Sequence, residues 1–414
     1  MTRPTSCLWW LVCLLPPVLV ACEATSHQTS DVPIWTTEAE FEIGDAVEGE
    51  ALFSRVSDVR LAPGGDRVFV LESGPARLTT WTLDGSLVLN IGRSGEGPGE
   101  FQGPSKVELR PEGFLVRDSR RFTLFDHDGG MVRTFQGPPT NLSFRGFRLG
   151  PRALLRADEY ADEYLALPMI PARVVSGWMG DDPVQDWPVF RVWQAPAGWT
   201  METVVVLDKA NSVLSVRPSD GSFEWGYHGP QPYGDSDQEL YDSGTGTVVV
   251  VRRRAGKGQV RLVEVTALGD TVWDRSLQLP AIPVRSKEAI DYMEDIAEQL
   301  AARSETSASP VTKRQARTLV EEAFYLPEFY PAVDYVHGTS NREVWMRTHE
   351  QVDTLQVWYT VRRGDNESSP RRVLLPETFY ASDVTDTHVW GIRYDTLGVN
   401  YVAGRRLVGA DQGG

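Results

Sequence analysis

Leu89-Asn-Ile-Gly-Arg-Ser-Gly-Glu-Gly-Pro-Gly-Glu-Phe-Gln-Gly-Pro104 is the stretch of this 414-residue chain that decides its fold. A short apolar strand ends at Ile91, and closely spaced glycines follow because the backbone must turn sharply where a Cβ would clash. Phe101 then returns the chain to a core. The stretch lacks the third glycine of a dinucleotide fingerprint and the Gly-Lys-Ser/Thr ending of a P-loop, and its glutamates would repel a phosphate. We therefore interpret it as a connector between two repeated β units.

Similar groups of strands lie on both sides of this connector. Alternating strands occupy residues 67–72 and 77–84 before it, 113–118 and 121–126 after it, and 206–208 and 213–216 further on. Groups of strands that recur about every 40 residues and close on glycine are typical of propeller blades. The sequence therefore predicts an all-β fold, a β-propeller of six or seven blades.

The connector also resembles a known family. Its Ile91-Gly92, Gly95-Glu-Gly-Pro-Gly-Glu-Phe101 and Pro104 motifs, with Asp128-Gly129 in the next turn, are similar to those of NHL-type six-bladed β-propellers, in particular secreted bacterial lipoproteins. The similarity covers about residues 41–137. It implies a propeller that binds other molecules, and no set of catalytic residues carries over to this chain.

The ends of the chain predict how the ring closes. Phe41-Glu-Ile-Gly44 echoes Leu89-Asn-Ile-Gly92 and resembles an outer strand without its own blade, whereas the C-terminal group has three strands and lacks a fourth. We expect the N-terminal strand to complete that last blade, because closure removes an exposed sheet edge. The other blades are expected at about 54–92, 101–137, 141–180, 187–229, 235–280 and 330–375. The count stays open between six and seven because residues 141–186 form either a blade or an insertion.

One segment, residues 283–328, interrupts the β pattern. Apolar residues recur at helical spacing over 286–300 and 310–324, and Ser309-Pro310 is suited to start the second helix. The sequence thus predicts a helical-hairpin insertion near 286–325. It either packs on the rim of the propeller or serves as a lid or docking surface.

The N-terminus predicts export. Residues 1–21 form a signal peptide, and Leu19-Val-Ala-Cys22 resembles a bacterial lipobox, which makes Cys22 the lipidated N-terminus; ordinary secretion is the alternative. Residues 22–38 are expected to be a polar tether and 39–410 a single propeller domain. By resemblance to Gram-negative sorting, Glu23 favours the outer membrane. Membrane contact is then through the lipid anchor alone.

Charged loops supply the candidate binding residues, and no catalytic residue is predicted. The acidic run Asp158, Glu159, Asp162 and Glu163 is either a solvated loop or a set of Ca²⁺ ligands. Arg252 and Arg254 form either a hairpin tip or an anion contact. Propeller connectivity would place both runs around one opening with Arg120, and this shared face is the predicted binding site.

Composition and motif content leave two classes of function. A formal charge of −16 argues against a nucleic-acid partner, because nucleic acids bind to basic surfaces. The first class is a noncatalytic scaffold at the cell envelope that binds a protein, peptide or glycan without a cofactor. The second is a hydrolase resembling calcium-dependent lactonase propellers, whose ligands from separate blades would leave no local motif. The absence of a conspicuous strand-end set of Glu, Asn and Asp favours binding.

Overall fold

A computed structural model describes residues 32–44, 49–156, 162–169, 185–216, 226–253 and 256–409. In these ranges the chain forms a ring of β-sheets with two helices beside it. The predicted all-β propeller with a helical insertion is therefore confirmed. Within the same ranges, neither helix combines the length and the apolar character needed to cross a membrane.

Six groups of strands have the size of blades, and we label them A to F in chain order. Blade A contains β2 (Val56–Leu61), β3 (Arg67–Glu72), β4 (Arg77–Thr82) and β5 (Leu87–Ile91). Blade B contains β6 (Pro104–Arg110), β7 (Gly113–Asp118), β8 (Arg121–Phe125) and β9 (Met131–Gln136). Blade C contains β10 (Ser143–Phe144), β11 (Phe147–Arg156), β12 (Glu163–Met169), β13 (Asp186–Ala195) and β14 (Gly198–Asp208).

The second half of the ring follows a two-stranded sheet of β15 (Val213–Val216) and β16 (Tyr227–Pro230). Blade D contains β17 (Gln238–Asp242), β18 (Thr247–Arg252), β19 (Gln259–Thr266) and β20 (Thr271–Gln278). Blade E contains β21 (Tyr335–Gly338), β22 (Glu343–Val352), β23 (Leu355–Arg362) and β24 (Arg371–Pro376). Blade F contains β25 (Phe379–Val384), β26 (His388–Tyr394), β27 (Asn400–Val408) and the N-terminal β1 (Ile34–Ile43).

The third blade differs from its prediction. Residues 141–180 and 187–229 were expected to form two blades, but β12 pairs with β13 through Glu163↔Trp193 to Ala166↔Phe190, so both strand pairs share one five-stranded sheet. Pairing of β12 with β13 hydrogen-bonds backbone groups that would be unpaired strand edges if the two strand pairs formed separate sheets. The ring therefore has six blades, or seven if the two-stranded sheet of β15 and β16 is counted as a blade.

Ring closure follows the prediction. The strand β1 pairs antiparallel with β27, ending at Ile43↔Val402. Its first residues, Ile34 and Trp35, also pair in parallel with β24 of blade E. The polar tether predicted over 22–38 is therefore too long, because residues 34–38 already belong to β1, in which residues 34–35 pair with β24 and residues 36–38 pair with β27.

The helical insertion packs on the small sheet. Helices α1 (Ser286–Ser304) and α2 (Lys313–Ala323) bury Met293, Ala297 and Val320 against Leu214 of β15. The cap of α2 is Thr312, whose hydroxyl accepts a hydrogen bond from the amide of Gln315 in a capping box, and not Ser309 as predicted.

The connector between blades A and B is rigidly held. Phe101 is fully buried, its amide donates to the carbonyl of Arg93 (2.9 Å), and Gly92 has φ +86°. Asp118 accepts hydrogen bonds from the amides of Gln102 (3.0 Å) and Gly103 (2.6 Å). These bonds satisfy backbone donors that the turn leaves unpaired, which supports its interpretation as a structural connector.

Candidate functional site

The first strands of the blades run in the same direction around the centre. Hydrogen bonds between neighbours show this: Val59 and Leu61 of β2 donate to Ser382 and Asp383 of β25, in the same order along both strands. On the other side, Val107 of β6 donates to Asp58 of β2 at 2.9 Å. All connectors that enter a blade therefore lie at one end of the ring.

These strands enclose a cavity of about 650 Å³. Its walls come from β2, β6, β17, β21 and β25 with the turns that follow them, whereas β11 of blade C contributes no lining residue. The lining is rich in charged and hydroxyl groups, including Asp58, Arg60, Lys106, Glu108 and Asp383. Such a lining suits a polar ligand.

A buried ion-pair network stands at the seam between blades A and F. The guanidinium of Arg60 lies 3.2 Å from Asp58 and 3.7 Å from Asp383. The Ser382 hydroxyl donates to Asp58 at 3.0 Å, and the Ser340 hydroxyl donates to Asp383 at 2.9 Å. Burial lowers the pKa of Arg60, but the two carboxylates outweigh it and raise the pKa overall. Both carboxylates are thus fully engaged by protein donors.

The histidine in the cavity wall is held neutral. Burial and the nearby charge of Arg60 lower the pKa of His337 to about 3. Its Nε2 contacts the carbonyl oxygen of Ser382, so Nε2 must carry the proton and donate. At neutral pH, His337 is therefore not available at Nε2 as a proton acceptor.

Two tyrosines stand at the rim of the cavity. Tyr335 is 45% exposed and Tyr380 is 49% exposed, although both line the cavity. They occupy the first and second positions of β21 and β25, at the end of the ring where the connectors lie. Exposed aromatic rings beside polar groups are suited to stack on sugars or peptide side chains.

The residues of the predicted shared face do not all come together. Arg120 follows β7 and Arg252 ends β18, so both lie at the connector end of the ring. Glu163 begins β12 and Asp162 directly precedes it, beyond the far end of β11. Arg110, at the far end of β6, donates to the carbonyl of Leu154 near that end of β11 at 2.9 Å. Asp162 and Glu163 thus lie at the end of the ring opposite the connectors, because they lead into a second strand.

Several of the predicted binding residues form ion pairs with other residues of the protein. Arg252 lies 3.9 Å from Asp237, Asp162 lies 3.3 Å from Arg133, and Glu163 lies 2.6 Å from Arg191. Cys22, Asp158, Glu159 and Arg254 lie outside the described residues. Within the described ranges, no group of three or more His, Cys, Asp or Glu side chains is arranged to hold a metal ion.

Sequence reasoning missed the cavity residues. Asp58, Arg60 and Asp383 belong to strands at opposite ends of the chain, and no local motif joins them. One pattern in the sequence could have indicated them. Polar residues interrupt strands whose other residues are apolar and buried, as Asp58 does between Val56 and Val59. Asp58 lies on the first strand of blade A, and this strand contributes to the wall of the cavity.

The comparisons with known proteins concern the fold. No family model and no curated protein matches the chain. Among solved structures, a member of the DUF4221 family from Bacteroides vulgatus is 8% identical with a TM-score of 0.45, covering 90% of this chain and 98% of that one. Virginiamycin B lyase from Staphylococcus aureus is 7% identical to this chain, with a TM-score of 0.40. The match covers 90% of this chain and 100% of that one.

A third similar structure is a calcium-binding protein, regucalcin, from Agrobacterium tumefaciens. It is 9% identical to this chain, with a TM-score of 0.36, and the match covers 91% of this chain and 96% of that one. Similarities this distant carry no argument about activity.

Proposed function

We propose that this protein is an exported binding propeller, anchored by a lipid at Cys22 to the outer membrane, whose cavity takes a polar peptide or glycan. We place it with the NHL-type propellers on the strength of the connector motif. The observation that carries the proposal is the cavity of about 650 Å³ with Tyr335 and Tyr380 at its rim. Aromatic faces above polar walls supply both contact area and hydrogen-bonding specificity.

The carboxylates of the cavity support binding better than catalysis. Glu108 accepts a hydrogen bond from Ser243 at 2.6 Å and lies 3.4 Å from Arg110. Asp58 and Asp383 share Arg60. A general base or a metal ligand needs a carboxylate with free lone pairs directed at the reacting group, and these three are occupied. Carboxylates whose lone pairs are already occupied favour recognition of a polar ligand over acid–base chemistry.

Binding of the full-length, detergent-solubilised protein to peptide and glycan arrays tests this function. We expect the wild-type protein to bind members of one class. Tyr335→Ala and Tyr380→Ala should each weaken that binding about tenfold, because each removes an aromatic ring that would stack on the ligand. Leu268→Ala is the control, because Leu268 is 71% exposed in a turn away from the cavity. Absence of binding on both arrays would contradict the proposal.

The alternative is metal-dependent hydrolysis of a lactone. Metal analysis of the purified protein, together with lactone hydrolysis in the presence and absence of Ca²⁺, separates it from binding. Calcium-dependent turnover that is lost in Asp58→Asn would replace the binding function with the hydrolase.

A further inference from the structure

A group of basic side chains lies between blade B and blade C. We call it the basic seam, and its members share the absence of an ion pair with any residue in the described ranges. They are Lys106, Arg117, Arg120, Arg148 and Arg152. In a chain with a formal charge of −16, five unpaired cations along one seam are unexpected.

Lys106 and Arg117 are directly opposite in the sheet. They are cross-strand partners of β6 and β7, so their side chains lie on the same face. Like charges in this arrangement destabilise a sheet. Arg117 donates to the hydroxyl of Ser105 (3.0 Å) and to the backbone carbonyl of Arg152 (2.8 Å), both neutral acceptors. Among the described residues, none therefore forms an ion pair with Lys106 or Arg117.

The charges of the seam residues also influence one another's pKa values. Burial, then the charge of Arg152, lowers the pKa of Arg117. Burial, then the charge of Arg148, lowers the pKa of Arg120. The carboxylates of Glu108 and Asp58 act in the other direction on Lys106 and Arg117, but they are already bonded to Arg110, Ser243 and Arg60.

Two buried polar atoms beside the seam have no partner in the described structure. They are the hydroxyl of Tyr241 and Nε of Arg152. Tyr241 and Lys106 both line the cavity, and Lys106 Nζ makes a single long contact of 3.5 Å to the backbone carbonyl of Tyr241. Buried donors without acceptors are costly, so an acceptor from a ligand would be bound strongly here.

We propose that part of the basic seam is an oxyanion subsite that adjoins the cavity at Lys106 and Tyr241, the two residues of this group that line it. In this subsite Lys106, Arg117 and Arg152 would bind a carboxylate or phosphate group of the ligand. The Tyr241 hydroxyl and Arg152 Nε would donate the remaining hydrogen bonds. Guanidinium groups match the geometry of both oxyanions through paired donors. This inference rests on the proposed binding function and specifies that the ligand is anionic at one end.

Isothermal titration of the full-length protein at fixed ionic strength tests the subsite. The probes are inorganic phosphate and D-glucuronate, with D-glucose as the uncharged analogue of the latter. We expect phosphate or glucuronate to bind at least about tenfold more tightly than glucose, since charge-assisted hydrogen bonds are about twice as strong as neutral ones. Phosphate binding alone indicates a phosphorylated ligand, and glucuronate binding alone indicates a carboxylate.

Substitutions in the basic seam test whether these residues bind the anion. Arg152→Gln and Lys106→Gln should each weaken anion binding about tenfold or more, and Arg152→Lys should retain part of the affinity. The control is Arg261→Gln on β19, which should match the wild type because Arg261 is 56% exposed, pairs with Asp274 and does not line the cavity. The melting temperatures of Arg152→Gln and Lys106→Gln should stay unchanged or rise, because each of these two substitutions relieves repulsion between like charges. A fall in melting temperature with unchanged affinity would assign these residues a structural role and overturn the proposal.

The results separate this inference from the proposed function. Wild-type protein that binds neither anion overturns the subsite, and array binding dependent on Tyr335 and Tyr380 would then leave the binding function standing. Anion binding by the seam without any array ligand would overturn the peptide or glycan proposal alone.

Discussion

Glu42 on β1 accepts two hydrogen bonds from Arg393 on β26, at 2.6 and 2.7 Å, although 351 residues separate them. The guanidinium carbon of Arg393 also lies 4.2 Å from the ring centroid of Tyr401, on the strand between them. Side chains thus reinforce the backbone pairing that joins the two ends of the chain. The strand β1 therefore closes the ring, although its first residues were predicted to be part of the tether.

Deletion of residues 32–44 should therefore open the ring. Without β1, β24 and β27 would both have an unpaired edge, and exposed edges promote aggregation. We expect soluble aggregates in size-exclusion chromatography and loss of a cooperative thermal transition. Deletion of residues 23–31, in the predicted tether, should leave both properties as in the full chain. A monomeric, cooperatively melting 32–44 deletion would contradict this closure.

Two glycines of the connector should differ in their tolerance of alanine. Both have positive φ, +86° for Gly92 and +74° for Gly99. A Cβ on Gly92 would stand 2.3 Å from Cε2 of Phe101, whereas a Cβ on Gly99 meets nothing within 4 Å.

Gly99→Ala should cost about 1 to 2 kcal/mol from the backbone alone. Gly92→Ala should cost at least about 3 kcal/mol, because overpacking adds to the same backbone term. Urea unfolding of the two variants measures the difference. Equal losses would show that Phe101 moves aside without cost.

The part of the fold that could be predicted was encoded locally. The connector revealed itself through glycine spacing, and β1 through the likeness of Phe41-Glu-Ile-Gly44 to Leu89-Asn-Ile-Gly92. Blade C was divided wrongly because the pairing of β12 with β13 spans residues 170–185, which carry no short hairpin signal.

Less of the candidate site than of the fold could be predicted from the sequence. Arg120 was identified because neither a turn nor a core explained its charge, and it does lie in the basic seam. Lys106, Arg117 and Arg152 were missed, because each is an unremarkable basic residue until the pairing of β6 with β7 and the approach of β11 bring them together. Charge clustering across blades depends on strand register, which no single strand displays.

Arg363 should be a strong contributor to the contact between blades D and E. It is 7% exposed, hydrogen-bonds Asp242, and lies 3.1 Å from Glu264. Burial raises the pKa of Asp242, but hydrogen bonds from Arg363 and Thr245 outweigh it and lower the pKa overall. Arg363→Met leaves two carboxylates without their cation and should cost about 3 to 5 kcal/mol.

The adjacent Arg362 is a matched control. It is 57% exposed and lies 3.7 Å from Asp386, itself 76% exposed. Arg362→Met should cost less than about 1 kcal/mol, since exposed ion pairs contribute little. Chemical denaturation compares the two, and similar losses would show that burial does not distinguish these arginines.

The turn at Asp365 should make stability depend on acid pH. Its carboxylate accepts hydrogen bonds from the amides of Glu367 (2.9 Å) and Ser368 (3.0 Å), which lower its pKa to about 2. An unfolded aspartate has a pKa of about 3.9. The stabilisation is therefore fully present above about pH 4 and is lost as the pH falls towards 2. The melting-temperature difference between wild type and Asp365→Asn should shrink over this interval, and a constant difference would contradict this assignment.

The anchor can be tested independently of the fold. Cys22 follows Leu19-Val-Ala, the pattern that resembles a lipobox, and Cys7 and Cys13 lie upstream in the predicted signal peptide. In a Gram-negative host, Cys22→Ala should move the protein from the membrane fraction to the soluble fraction, whereas Cys13→Ala should remain with the membranes. Loss of Cys22 removes the acyl chains, and several acyl chains hold a protein on a bilayer far more firmly than one. Mass spectrometry of the wild-type N-terminal peptide should show the acyl mass on Cys22, and an unmodified peptide with unchanged membrane partition in Cys22→Ala would place the anchor elsewhere.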